Sequence, residues 1–238
     1  MKKAEAIFFD LDNTLYSYDH TSELADRAIG EYGRMQFGIP AEQIIRETYE
    51  SMNEIIDRMG ESDAAVHDRL LRFKNVLVKH HLPVFPHARE MYELYWGTLL
   101  ENMTQEPGAF AFLTELKKRG YRLYCATNMT SRIQYMKIQK LGMGSLFTDI
   151  ITSEEACAEK PQKAFFLYCA GVVGEKPEDC IFIGDNYRLD VLGSESAGMR
   201  GIHYQTEDLA QRHRKVDPGV PVITDYRDLD RCMALITG

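Results

Sequence analysis

The sequence predicts an α/β fold: a parallel sheet with helices on both faces, interrupted early by an all-helical insert. Three observations carry that reading. Residues 6–9 form a short apolar run of strand type; residues 17–104 show helical periodicity alone; and from Pro107 onward apolar strand-like runs alternate with helical patterns. Alternation of this kind builds right-handed βαβ units, and their sheet is parallel and covered on both faces. The expected domains are 1–16 with 105–238 as the sheet-containing core, and 17–104 as the insert.

The first run, "AIFF", stops abruptly at Asp10 and Asp12, with Asn13 and Thr14 behind them. In the insert, "IIRETYESMNEIIDRM" sets Ile45, Thr48, Tyr49, Met52, Ile55, Ile56 and Met59 at spacings of three and four, which predicts one helix face. Weaker faces lie at 24–35, 70–78 and 91–99, separated by Gly38-Ile39-Pro40, Gly60 and the prolines at 83 and 86. Four helices in a small antiparallel bundle follow. After Pro107-Gly108, "AFAFLTELKKRG" predicts a helix with Phe110, Leu113 and Leu116 inward, a basic last turn and Gly120 as its cap. "YRLYCAT" is the next strand, 131–141 a helix stopped by Gly142, "FTDIIT" a strand and 161–171 a helix. "CIFIGD" is again an apolar strand ending in an acid, 189–197 a helix stopped by Gly198, and "GIHY" a strand. "VITDYRDLDRCMALI" adds a short strand and a final helix.

A net charge of −8 over 238 residues argues against a general nucleic-acid or anionic-membrane binder, which would present a basic surface. The five cysteines are scattered, odd in number and without C-x-x-C, which fits a reducing cytoplasm. Lys2 and Lys3 precede an apolar stretch too short, and too acidic, for a signal peptide or membrane span. A soluble cytoplasmic protein is expected.

In an open parallel sheet, ligands bind outside the carboxyl ends of the strands. Four polar clusters fall at such ends: Asp10/Asp12, Thr127-Asn128, Lys160, and Gly184-Asp185-Asn186. Asp10, Asp12 and Asp185 would put three carboxylates in one crevice, an arrangement that a hard divalent cation makes tolerable, and Mg²⁺ suits it. Taken singly, an Asp is as readily a helix or loop cap. Lys160 precedes Pro161, so its backbone is biased to extended form before a helix, and its ammonium can offset carboxylate repulsion and hold a phosphoryl group. Its plain alternative is a solvated surface lysine. Thr127 and Asn128 offer a hydroxyl, an amide and helix-opening N–H groups to an anion, or a simple N-cap. Two carboxylates two residues apart can divide labour, one attacking phosphorus and the other protonating the leaving oxygen and later activating water.

These residues resemble the haloacid dehalogenase superfamily. "DLDNT" is similar to its first motif, "YCATN" to its second, "EKP" to its third and "IFIGDNYRLD" to its fourth, in order from Ala6 to about His203. The resemblance implies a Rossmann-like core with a helical cap inserted at 17–104. It implies Asp10 as nucleophile and Mg²⁺ ligand, and Asp12 as general acid/base with its backbone carbonyl on the metal. Thr127, Asn128 and Lys160 would hold phosphoryl oxygens, and Asp185 would be the second carboxylate at the metal. Asn186 and Asp190 would support this set, Asp190 orienting Lys160 or the metal shell. Members that act on haloacids lack an acid where this chain has Asp12, the phosphoglucomutase branch carries Gly where it has Asn13, and the ATPase branch needs transmembrane helices. The expected activity is Mg²⁺-dependent hydrolysis of a small phosphorylated metabolite through an aspartyl-phosphate, a nucleoside monophosphate or sugar phosphate for instance. A phosphomutase, a 2-haloacid dehalogenase and a non-catalytic phospho-ligand binder are the alternatives.

Tyr16, Ser17 and Tyr18 lie where the insert begins and are expected to line an entrance. Arg72, Lys74, Lys79, His80 and His81 give the later insert a basic tint suited to an anionic leaving group, or are solvated faces. The seven histidines show no zinc-ligand spacing, and Trp96 reads as core. The sequence specifies neither the substrate nor the oligomeric state.

Overall fold

A computed structural model describes residues 5–60, 63–206 and 219–237; Lys2 and Lys3 lie outside them. The chain divides into two compact units, one of Met1–Ser17 with Thr104–Gly238 and one of Tyr18–Met103.

The first unit is built on six parallel strands, β1 (Ala6–Phe9), β2 (Arg122–Thr127), β3 (Asp149–Thr152), β4 (Cys180–Gly184), β5 (Arg200–Tyr204) and β6 (Val222–Ile223), in the order β3-β2-β1-β4-β5-β6. The first strand is central because both its neighbours arrive later, β2 on one side and β4 on the other. Strand order reverses there, so the crevice beyond β1 is where such sheets bind ligands. All four residues of β1 are buried, as a strand covered on both faces requires. Phe8 stacks with Tyr124 at 5.3 Å and Phe182 at 6.3 Å on one face, and Phe166 meets Phe182 edge-on at 5.1 Å. Phe9 points to the other face, edge-on to Phe112 at 6.1 Å, and Phe112 stacks on Tyr226 at 5.4 Å.

Helix α5 (Ala109–Lys118) ends at Gly120, whose φ of +85° is the left-handed conformation that closes a helix. Its inward face differs from expectation: Phe110 is 41% exposed, while Ala109, Phe112, Leu113 and Leu116 are buried. Both phases share Leu113 and Leu116, and packing on Phe9 selects Phe112 over Phe110. Then come α6 (Ser131–Lys140), the one-turn α7 (Ser153–Ala156) and α8 (Lys163–Val173), which begins two residues later than expected. Where one helix at 189–197 was expected, Tyr187–Leu192 form a π-helical turn followed by the short α9 (Gly193–Ala197). Wide turns of this kind mark functional sites. A last helix runs Leu229–Thr237.

The second unit holds α1 (Tyr18–Phe37), α2 (Ala41–Met59), α3 (Arg69–Lys79) and α4 (His87–Asn102), with one 3-10 turn at Ala64–His67 before α3. Helix α1 packs on α2 and α4, and α3 on the same two. A Cβ at Gly33 would come within 2.5 Å of Ile44, so glycine permits the close approach of α1 and α2. The buried face of α2 is Ile44, Glu47, Thr48, Ser51 and Ile55; Tyr49 and Met59, expected inside, are exposed. Hydrophobicity misjudged this phase because the inward face carries an acid, which His80 meets through Nε2 at 2.5 Å. Among the described residues, no helix is long and apolar enough to cross a membrane.

Candidate active site

Three strand ends of the first unit deliver the acids and the lysine. Asp10 follows β1, where its N–H donates to Ile183 O at 2.9 Å and holds the chain against β4. The turn after it places Asn13 at φ +61°, a left-handed position that Asn tolerates. The chain thereby returns so that Thr14 Oγ1 lies 3.5 Å from Asp10 Oδ2 and 3.4 Å from Asp185 Oδ1, and accepts the Asp185 N–H at 3.1 Å.

Lys160 is the hub. Its Nζ donates to Asp10 Oδ1 at 2.5 Å and to Asp190 Oδ1 at 2.7 Å, and all three residues are buried. The other oxygen of Asp190 accepts the Asn186 N–H at 2.9 Å, while Asn186 Oδ1 caps the π turn by accepting Leu189 N–H at 3.0 Å. Gly184 is required for this arrangement, since a Cβ there would lie 2.4 Å from the Asp190 carboxyl. Asn128 accepts the Lys160 N–H at 2.9 Å and donates to the Lys160 carbonyl at 3.1 Å. Its side-chain amide therefore fixes the lysine backbone from both sides of the peptide.

Asp10, Asp185 and Asp190 each offer a carboxylate oxygen, all within 4.8 Å of one another. Burial raises Asp10 to about 7, with Asp190 and Asp12 adding to the rise and Lys160 opposing it. Burial, Asp190 and Asp10 likewise push Asp185 well up. For Lys160, burial works against the charge but Asp10 and Asp190 outweigh it, so it stays charged. Three carboxylates face one ammonium, and the donors are hard oxygens; a divalent cation such as Mg²⁺ fits both facts. Both Asp190 oxygens are taken by protein donors, which leaves Asp10 and Asp185 as the better ligands.

Asp12 sits apart from that hub. Burial alone would raise its carboxyl, but the Lys137 ammonium, with hydrogen bonds from Lys137, Tyr16 and Gln134, holds it below the usual range. Lys137 Nζ donates to Oδ1 at 2.6 Å, Gln134 Nε2 to Oδ2 at 3.3 Å, and Tyr16 OH to Oδ1. Gln134 also donates to Thr127 Oγ1 at 2.7 Å, tying the two strand ends together. Tyr16 is fully buried in this role. Tyr18 begins the helical unit, where its OH accepts from Arg69 Nη2 at 2.8 Å. Of the basic residues expected to greet a leaving group, Lys79 pairs with Glu50 at 3.0 Å and His80 with Glu47.

Gln134 and Lys137 were missed by sequence reasoning. They stand three apart on the inward face of α6, a spacing that marks a shared face but reads as solvated when the residues are polar.

A family model for haloacid dehalogenase-like hydrolases matches residues 4–198. Ribulose-1,5-bisphosphate 5-phosphatase of Halopiger xanaduensis is 28% identical over 95% of this chain and 99% of its own. Glyceraldehyde 3-phosphate phosphatase of Methanothermobacter thermautotrophicus is 30% identical over 85% of this chain and 86% of its own. Among solved structures, an HAD phosphatase from Thermococcus onnurineus superposes with a TM-score of 0.70 at 21% identity, covering 96% of this chain and 97% of that one. A 2-haloacid dehalogenase from Pseudomonas syringae pv. Tomato DC3000 reaches 0.76 at 21% identity, covering 98% and 99%, so the fold alone does not separate the two activities. With the family match spanning most of its length, the chain belongs to the haloacid dehalogenase-like hydrolases.

Proposed function

We propose that this protein hydrolyses a small phosphomonoester through an aspartyl-phosphate on Asp10. The observation that carries the reading is the contrast between two neighbouring carboxylates. Asp10 sits in an acid-rich hub with Lys160, while Asp12 is held separately by Lys137, Gln134 and Tyr16. Separate partners suit the two carboxylates to separate roles, and a bound cation and the arriving phosphoryl group would have to reverse the resting shifts, which raise Asp10 and lower Asp12.

In the first step an Asp10 carboxylate oxygen attacks phosphorus, the ester P–O bond breaks, and the leaving oxygen takes a proton from Asp12. In the second, water attacks the same phosphorus and gives its proton to Asp12, and the Asp10–phosphorus bond breaks to release inorganic phosphate. Each cycle thus returns Asp12 to its protonated form. The first proton comes with the substrate, whose monoanion carries one. Lys160 and the Thr127 hydroxyl would hold phosphoryl oxygens, Asp190 and Asn128 fixing the lysine from its two ends. Mg²⁺, held by Asp10, Asp185 and the Asp12 carbonyl, would supply the positive charge that keeps Asp10 ionised and offsets the phosphoryl group. The helical unit, inserted between Ser17 and Thr104, would act as a cap against bulk water. Relatives named for ribulose-1,5-bisphosphate and glyceraldehyde 3-phosphate support a small sugar-like ester as substrate.

Phosphate release from p-nitrophenyl phosphate and metabolite esters, with Mg²⁺ or with EDTA, tests the proposal. Mg²⁺-dependent release by the wild type and its loss in Asp10→Asn are expected. Release that survives Asp10→Asn would remove the nucleophile and with it the mechanism.

A further inference from the structure

Resting on the phosphatase reading, we infer that Ser153, aimed by Glu159, is a positioning residue for the turn at 127–129 that receives the phosphoryl group. The turn leads from the end of β2 towards α6. Its last residue, Met129, has a φ of +152°. That backbone conformation is uncommon outside glycine and costs a residue with a side chain free energy. Strain of this kind persists only where the surroundings over-determine it, and it gathers at ligand sites. Met129 is buried there, two residues beyond Thr127 and next to the Asn128 that holds the Lys160 backbone.

One hydroxyl holds the strained residue. The Met129 N–H donates to Ser153 Oγ at 3.0 Å, and the Ser153 hydroxyl donates to Glu159 Oε1 at 3.0 Å. A hydroxyl has one proton and two acceptor lone pairs. With the proton committed to Glu159, Ser153 turns lone pairs towards Met129, and the amide must come to them. Ser153 and Glu159 are 2% and 5% exposed, so water competes little for either bond. Removing the hydroxyl would strand a buried backbone N–H and release the residue whose φ it holds.

Sheet register explains why these elements meet. Thr127 and Thr152 pair as the last residues of β2 and β3, so the turn after one strand lies beside the short helix α7 after the other. Ser131 Oγ lies 2.7 Å from Thr152 Oγ1, and the Ser131 N–H donates to Glu154 Oε2 at 2.8 Å. Those two bonds fasten the start of α6, whereas Ser153 grips the turn itself. The φ of Met129 sets the direction in which the chain leaves the strand, and thereby where Thr127 Oγ1 and the Asn128 peptide face.

Glycine adopts a positive φ without strain, which allows a test by rescue. Ser153→Ala is made in the wild type and in Met129→Gly. For all four proteins, inorganic phosphate is titrated calorimetrically in Mg²⁺, kcat and KM are measured for p-nitrophenyl phosphate, and circular dichroism checks the fold. In the wild-type background the substitution should weaken phosphate binding and lower kcat/KM by about 10- to 100-fold. In Met129→Gly the same substitution should cost less than about threefold in either. Equal losses in the two backgrounds overturn the proposal, because a merely structural hydroxyl would be missed as much beside glycine. Binding and turnover at wild-type levels in Ser153→Ala overturn it too. Where alanine prevents folding, Ser153→Cys, close in size but a weak acceptor, is carried through the same cycle and decides. Phosphate binding that follows the expected pattern in a protein that hydrolyses no ester would end the phosphatase reading and leave the dependence of the turn on Ser153 standing. A wild type that neither binds phosphate nor hydrolyses an ester overturns both.

Discussion

Replacing Lys160 with methionine removes the ammonium that bridges Asp10 and Asp190. Its contacts, 2.5 Å and 2.7 Å, lie in a buried setting. At an effective dielectric constant of about 20, each attraction is worth about 6 kcal/mol. Desolvating the lysine offsets several kcal/mol of that, and truncating one partner of such a buried set costs about 3–5 kcal/mol. Protonation softens the loss. Asp10, already raised to about 7 by burial, rises further without its cation and takes up a proton near neutrality. A carboxylate whose folded pKa exceeds its unfolded value penalises folding increasingly as pH climbs between the two, and fully above both. The variant is therefore weakest in alkali. For a chain of this size about 2–4 °C accompanies each kcal/mol, so a melting temperature roughly 6–20 °C below wild type is expected in EDTA at about pH 8. The gap should narrow at about pH 6 and again on adding millimolar Mg²⁺, which supplies charge to the same carboxylates. A variant that melts within about 1 °C of the wild type in alkaline EDTA would refute the claim that this lysine holds the acids together.

Other consequences follow from the same geometry. Lys137→Met should free Asp12 and slow alkyl phosphate hydrolysis by about 10²-fold while slowing p-nitrophenyl phosphate much less, since that leaving group scarcely needs an acid; equal losses on both esters would count against a positioning role. Gly184→Ala should cost about 1–3 kcal/mol by crowding the Asp190 carboxyl, with a larger fractional loss of activity than of stability, read by melting and turnover on one preparation. The rise in melting temperature caused by Mg²⁺ should grow from about pH 5.5 to about pH 8, because the raised Asp10 and Asp185 carboxyls resist ionisation in the metal-free fold until the pH is high; an increment that shrinks with pH would place the ion elsewhere.

Much of the core could be read directly. "AIFF" and "CIFIG" are continuous apolar runs because strands buried on both faces have no polar side, and the acids that end them stand out for that reason. The strand ends also explain why Asp10, Lys160 and Asp185 could be grouped without coordinates: parallel strands all deliver their carboxyl ends to one edge. Helix phase was less legible. In α2 the inward face includes Glu47 and Ser51, so an apolar count turns the helix the wrong way, and in α5 Phe110 and Phe112 are equal on composition until Phe9 chooses between them.

The sequence by itself determined the alternation that makes a parallel sheet, the helical insert, and the set of strand-end acids and lysine. Those follow from local periodicity and from backbone chirality. The tertiary structure alone decided that Asp12 is held by Gln134 and Lys137, 122 and 125 residues away, and that Tyr16 is buried against it. It alone showed Asn128 bound to the lysine backbone, and two arginines of α3 buried. Such pairings join residues distant in sequence, and a polar side chain carries no mark of whether water or a buried partner will satisfy it; only the packing of the elements settles which.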